Sequence, residues 1–270
     1  MKISQSLMKE FKKYMFAKSG SSTYKVTDGN YCGLLFKAKY VDKSVFLEPT
    51  DSMKEGIYFE YLATGVVPRS GIIPEPDRTQ KGEPTAAYKK TIAAANFFKS
   101  IMNHYKIKIL EVGYRLETED TVAVLDILAE WDGQPCIIDL KYTGLFNDKW
   151  SELGWNNDNL PLKENIMIQG LHFKYVVREI MGSDMPFYYF VFNSKDSEEM
   201  KIIKQENDED QYEQHQLDIL KVKDLLEKEI EKGCTALPYY KNCNYCPLKE
   251  TCTEKEEFPK PTTIYYSGTT

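Results

Sequence analysis

The sequence predicts an α/β protein, a central mixed β-sheet flanked by helices, with a cysteine-bearing segment near its carboxy-terminal end. Three observations carry this expectation. The stretch from Val122 to Lys141 holds two Val-, Ile- and Leu-rich runs split by Asp132-Gly133, the strongest local signal for a hairpin with a two-residue type I′ turn. Stretches with helical spacing lie on both sides of that hairpin. Pro186 to Asn193 is strongly aromatic and reads as a further strand.

The first element of interest is a helix from Ser52 to Leu62, opened by Ser52 with Glu55 three residues on as a capping box and closed near Gly65. Glu60 falls on its apolar side, with Met53, Gly56, Ile57 and Ala63 or Thr64. A carboxylate in that position must be paired or bound to a cation. Pro68, Gly71, Pro74, Pro76 and Gly82 then mark a loop between Val67 and Glu83. Ala86 to Tyr105 reads as the next helix.

Pairing across the hairpin follows from its turn. If Asp132 and Gly133 form the loop, Trp131 faces Gln134, and the same register brings Asp126 directly opposite Asp139, with Cβ atoms about 5 Å apart. Two opposed carboxylates need a shared proton or a cation between them, and a hard divalent metal supplies one. Strand alternation puts Asp139 and Lys141 on one face and Cys136, Ile138 and Leu140 on the other. Pro135 threatens this register, since a bulge there would part the acids. The bland alternative is a solvated hairpin face carrying an acid-lysine pair.

Thr143 to Pro161 reads as a long loop whose Trp150 and Trp155 either stack on bases or pack against the body. A helix follows from Leu162 to Met181, with Leu162, Ile166, Phe173, Val176 and Ile180 as its stripe. Gln169 sits within that stripe, so its amide is either satisfied in the core or reaches a site. Tyr175 and His172 flank it, and His172 reads as structural. Gln214 to Lys232 is an amphipathic helix leading into the cysteines.

Cys243, Cys246 and Cys252 form a Cys-x2-Cys-x5-Cys segment, a spacing that lets several thiolates converge on one metal centre, zinc or iron–sulfur. The fourth ligand is either Cys234 or Cys32, Cys136 being assigned to the apolar face of the hairpin. No secretory signal precedes the lysine-studded amino terminus, so a reducing, cytoplasmic setting is expected and disulfides are disfavoured. No run reaches membrane-spanning length.

The chain has 270 residues and a formal charge of −6, a balance that argues weakly against a polyanionic partner. The charge is uneven. Residues 1–43 hold nine lysines against three acids, whereas residues 196–231 hold thirteen acids against five lysines. A basic amino-terminal arm would still give DNA a place to land.

In order, Gly56-Ile-Tyr-Phe-Glu60, Leu125-Asp126, Ile138-Asp139-Leu-Lys141 and the stretch from Gln169 to Tyr175 resemble the PD-(D/E)XK nuclease superfamily. The RecB-type branch looks nearest. One early cysteine with three late ones resembles the CRISPR-associated RecB-like exonucleases and the AddB nuclease domain, which hold a 4Fe-4S cluster. The resemblance runs from about Tyr24 to Cys252. It implies a restriction-endonuclease-like nuclease domain over 1–270, with 1–50 and 232–258 forming a cluster subdomain and 259–270 a tail. Glu60, Asp126 and Asp139 would bind Mg2+ or Mn2+, Lys141 would orient or activate water, and Gln169 and Tyr175 would support the site or the DNA. Cys32, Cys243, Cys246 and Cys252 would hold the cluster. Two departures stand out: Gly33 follows Cys32 where the family often has proline, and Asp139 stands where it often has glutamate.

The activity so implied is exonucleolytic hydrolysis of DNA with free ends or single-stranded character, in recombination, repair or spacer processing alongside proteins of those pathways. Rival expectations are a structure-specific endonuclease, a cluster-bearing DNA-binding protein whose site has decayed, and a zinc-stapled protein of unrelated function.

Overall fold

The computed structural model describes residues 1–20, 31–75, 77–151, 153–156 and 163–257. Tyr24, Pro76, Leu162 and the 259–270 tail lie outside them. Five strands, β1 (Lys108–Glu117), β2 (Val122–Trp131), β3 (Gln134–Thr143), β4 (Phe187–Asn193) and β5 (Met200–Gln205), form a sheet in that order. β3 and β4 are parallel and every other neighbouring pair is antiparallel, so the mixed sheet expected from the sequence is present.

Asp132 and Gly133 both carry positive φ, 52° and 75°, the type I′ geometry that matches the twist of the flanking strands. β2 and β3 pair without a break from Trp131↔Gln134 to Ile127↔Ile138. Pro135 causes no bulge. The closing pair of such a hairpin is hydrogen-bonded, so Pro135, one step on, turns its nitrogen away from β2. On that other side β4 begins pairing only at Ile137, and no ladder bond is lost.

The two faces of the sheet bury different helices. Cys136, Ile138 and Leu140, with Phe190 and Phe192, pack on α3 (Asp51–Thr64) and α4 (Ala86–His104) through Phe59, Ala63, Ala94 and Phe98. Ile137, Tyr189 and Val191 meet α5 (Glu164–Met181) through Phe173, Val176 and Val177. Ile180 continues the α5 stripe in sequence but is exposed near the helix end, just before the left-handed Gly182 cap.

α3 begins one residue before the expected start at Ser52. Thr50, not Ser52, is the N-cap, its side chain accepting from the Met53 N–H at 3.3 Å, and left-handed Gly65 closes the helix with an N–H to Tyr61 O. Such a cap contributes about 1 kcal/mol. Phe59, fully buried and lying 5.0 Å between ring centroids from both Tyr142 and Phe192, contributes on the order of 2–3 kcal/mol. Packing therefore decides where α3 sits.

α6 (Glu209–Glu231) starts five residues before the expected Gln214, because Asp208 and Gln211 form a reciprocal capping box: Gln211 N–H to Asp208 Oδ1 at 2.9 Å, Asp208 N–H to Gln211 Oε1 at 3.2 Å. His172 is buried, with Nε2 3.1 Å from Val122 O and Nδ1 3.1 Å from His215 Nε2. A neutral ring satisfies both contacts by donating from Nε2 and accepting at Nδ1.

Burial pushes the His172 imidazole down to about 4. The unfolded chain therefore binds the proton more readily between that value and about 6.5, so stability is full above this window and is lost as pH falls through it. We expect thermal melts to show a loss on the order of 3 kcal/mol across the window. His172→Gln should flatten the dependence, and an unchanged slope in that variant would show that other groups cause it.

The chain divides into two compact units, Met1–Gln5 with Glu48–Ile219, and Ser6–Leu47 with Leu220–Thr270. The sheet, α3, α4 and α5 belong to the first. The second contains α1 (Gln5–Lys18) beyond its first residue, α2 (Gly33–Phe36) running into a π-helical turn over Lys37–Val41, the later part of α6, and α7 (Tyr240–Asn244). Here the Tyr14 hydroxyl donates to Glu229 at 2.8 Å and accepts the Thr235 N–H at 2.8 Å, while Lys18 Nζ meets the same Glu229 oxygen at 2.7 Å. No helix among the described residues is long and apolar enough to cross a membrane.

Candidate active site

Asp139 lies on β3 beside Tyr189 of β4 and is 0% exposed, which removes the solvated-face alternative. Its Oδ1 accepts from Gln169 Nε2 at 2.6 Å. Its Oδ2 stands 2.5 Å from Lys141 Nζ as an ion pair, yet receives no aligned hydrogen bond. Burial holds the Asp139 carboxyl well above the usual carboxylate range; Lys141 pulls it down, and Asp126 and Glu60 push it further up. For Lys141, burial works against the charge, but the attraction of Asp139, Asp126 and Glu60 prevails and holds the amine above its ordinary value.

Asp126 occupies the next position in register after Ile127↔Ile138, but the ladder stops there. Its Oδ2 instead accepts the Leu140 N–H at 3.0 Å. A side-chain oxygen replaces the backbone acceptor that a continued hairpin would have offered, so the register expected from the turn holds as far as Ile127↔Ile138 and the hydrogen-bond ladder gives way at the two aspartates.

Glu60 of α3 joins the same electrostatic field. Burial, then Asp126, pushes its carboxyl up to about 7, while Lys141 and Arg69 draw it back. Arg69 comes from the Pro- and Gly-rich loop, and its Nη2 donates to Gly113 O at 3.2 Å. The β1 partners on either side, Val112↔Ile127 and Tyr114↔Leu125, place Gly113 across from Asp126. Sequence reasoning passed over Arg69, and nothing in its spacing marks it.

Gln169 reaches Asp139 because α5 lies close to the sheet. A Cβ on Gly170 would stand 2.3 Å from Gln205 Oε1, so only glycine admits this approach. The Tyr189 hydroxyl enters the same turn, donating to Ile166 O at 2.6 Å and accepting the Gly170 N–H at 3.1 Å. Tyr175 does not join them. Six residues along a helix turn it about 120° away from Gln169, and its ring meets His215 at 5.5 Å while Glu179 and Asp120 act on its hydroxyl.

The donor set of Glu60, Asp126 and Asp139 is all oxygen, as a hard divalent cation requires, and Asp139 is a fully buried carboxylate whose Oδ2 faces the Lys141 ammonium. These features fit such an ion. Among the described residues, no three His, Cys, Asp or Glu side chains already stand around a common point, so the acids are neighbours rather than a closed cage.

In the second unit, Cys32, Cys243, Cys246 and Cys252 line one cavity, with Leu34, Leu237 and Leu248 in its wall. Burial raises the Cys246 thiol, and the other three cysteines raise it further, partly offset by the Leu248 N–H. Cys234 is buried elsewhere, in a left-handed turn after α6 with its N–H on Glu229 O. Four cysteines lining one cavity supply a donor set that suits a thiolate-ligated centre, although, like the acids, they do not yet stand around a common point. Gly33 donates its N–H to Thr235 O at 3.0 Å, and a Cβ there would meet that oxygen at 2.4 Å and the Tyr14 ring at 2.7 Å. Proline after Cys32 would lose the bond and clash, which explains this chain's departure from the expected pattern.

No family model and no curated protein matches the chain. Among solved structures, it is similar to a crystal structure named "Putative exonuclease" from Eubacterium rectale, with 18% identity, a TM-score of 0.59, and coverage of 97% of this chain and 91% of that one. The likeness is one of fold. A structure named SSO0001 aligns at 13% identity over 83% of this chain and 96% of that one, with a TM-score of 0.31, too low to carry an argument.

Proposed function

We propose that the chain is a metal-dependent deoxyribonuclease acting on DNA ends. The observation that carries this reading is Asp139, a fully buried carboxylate ion-paired with Lys141 and in the field of Asp126 and Glu60. Glu60, Asp126 and Asp139 would hold Mg2+ or Mn2+, which supplies positive charge against the phosphate and acidifies water. Gln169 fixes one oxygen of Asp139 and the Leu140 N–H fixes one of Asp126; the second oxygen of Asp139 is ion-paired with Lys141, so a bound cation would share or displace that ammonium. Lys141, held protonated, offers N–H donors to a phosphate oxygen or to the attacking water.

The fold shared with a structure named as an exonuclease supports the same reaction class by analogy. We assign the four cavity-lining cysteines to a 4Fe-4S cluster, with zinc as the alternative ligand, and the cellular role to processing of DNA ends in recombination, repair or spacer handling.

Anaerobically purified protein incubated with end-labelled single- and double-stranded DNA should cleave with Mn2+ or Mg2+ and stop with chelator. Circular single-stranded DNA should survive, and its cleavage would turn the reading towards an endonuclease. Metal-replete protein that binds DNA and never cuts it would establish the decayed site instead.

A further inference from the structure

We propose that the loop following β3 displays Trp150 as a stacking platform for an unpaired base, so that the open pocket around it is a subsite for single-stranded nucleic acid. The proposal rests on the nuclease reading only for its purpose; the binding it asserts can be measured alone.

The described residues on either side of Trp150 are anchored, and this gives its exposure its meaning. Phe146 and Trp155 are buried, the latter edge-on to Tyr189 at 5.1 Å between centroids. Lys201 Nζ clamps Phe146 O and Trp155 O at 3.2 Å each. Asp148 Oδ1 accepts the Trp150 and Ser151 N–H groups at 2.7 and 2.9 Å, and a Cβ on Gly154 would collide with Asp148 O at 2.0 Å. Two of the three large aromatics from 146 to 155 are thus packed inward. Trp150, on a turn held by its own backbone bonds, is 85% exposed. Held on a hydrogen-bonded turn, the ring is open to a partner, and the groups around it decide which partner suits it.

The surroundings select the ligand. Lys149 Nζ lies 4.8 Å from the Trp150 ring centroid, covering one face and leaving the other for a base. The pocket is open and polar, and it is lined by Lys149, Lys195, Asn147 and Asn193 as well as Trp150. Lys90 Nζ bonds Lys195 O at 2.7 Å, adding a third ammonium at that edge. Asp148 also lines the pocket, with one carboxylate oxygen engaged by two backbone N–H groups. An aromatic face flanked by ammonium groups and side-chain amides suits a base with its phosphate. Gly144 and Leu145, at its base, follow β3 directly, three and four residues after Lys141, so a bound strand would pass close to the acids. A base within a duplex cannot offer its face to the ring.

The test is a fluorescence titration in chelator, where cleavage is absent, with a single-stranded 12-mer and with a blunt hairpin duplex of equal length. Wild-type protein should show quenching of its exposed-tryptophan emission by the single strand and weaker binding of the duplex. Trp150→Ala should weaken single-strand affinity about tenfold, followed by anisotropy of a labelled strand. Trp150→Phe should restore most of it, and Lys149→Ala or Lys195→Ala should each reduce the salt slope by about one. Unchanged single-strand affinity in Trp150→Ala, or quenching that persists without Trp150, overturns the proposal. If binding depends on Trp150 but Mn2+ elicits no cleavage, the subsite stands and the catalytic reading falls.

Discussion

Asp139→Ala is expected to lower the rate of DNA cleavage by about 10³-fold or more, equivalent to roughly 4 kcal/mol of transition-state stabilisation, without unfolding the protein. The size of the effect follows from the position of this side chain. Gln169 is hydrogen-bonded to it, Lys141 is paired with it, and the charges of Asp126 and Glu60 both act on it. Removing it deletes a ligand and releases the residues that it orients. Gln169→Ala removes only an orienting contact, and losses of such outer partners run at about 10- to 100-fold. Asp139→Asn keeps the side-chain shape but leaves Lys141 without its ion-pair partner, so the metal-free melting temperature should fall while cleavage is still lost. Single-turnover rates with Mn2+ and melts of the same preparations test both halves. Activity within tenfold of wild type in Asp139→Ala would remove the site from Asp139.

Why some of this was legible in the sequence and some was not has a physical basis. The Asp-Gly turn fixes register through local φ values alone, so the alignment of Asp126 with Asp139 and the separation of Cys136 from Lys141 follow from a dipeptide. The end of the ladder at that point depends on an Asp126 oxygen taking the Leu140 N–H, a contact that has no sequence pattern. β1 and β5 were invisible for another reason: they edge the sheet, and their charged residues, among them Lys108, Glu111 and Arg115 in β1 and Lys201 and Lys204 in β5, break the apolar alternation that marks a strand.

Helix contents were read more securely than helix ends. Thr50 rather than Ser52 caps α3, and the Asp208–Gln211 box that starts α6 went unread because it sits inside the acidic stretch, where each carboxylate resembles the next. Gln169 was found by its place on an apolar stripe. Tyr175, taken with it by order along the chain, fails on angle. Arg69 reaches the site from a loop, where no periodicity exists to reveal it.

Cys32→Ser or Cys246→Ser should produce the largest loss of stability. Cys32 and the carboxy-terminal cysteines that share its cavity are more than two hundred residues apart in sequence, and the proposed centre, held by all four, would tie these segments together as a crosslink does. The loop-closure argument gives about 4–5 kcal/mol for so long a loop. The other fastenings of the second unit are smaller: the Tyr14, Lys18 and Glu229 cluster and the Gly33 bond to Thr235 are each worth about 1–3 kcal/mol. For a unit of this size, a loss of about 4 kcal/mol lowers the melting temperature by on the order of 15–20 °C. Cys234→Ser should leave metal content unchanged, because its side chain is outside the cavity wall, and this contrast separates loss of the centre from general damage. Brown protein with about four irons per chain, bleached in Cys32→Ser and intact in Cys234→Ser, is the expected result. Colourless protein with one zinc per chain would replace the cluster with zinc, and a full complement of iron in Cys32→Ser would exclude Cys32 as a ligand.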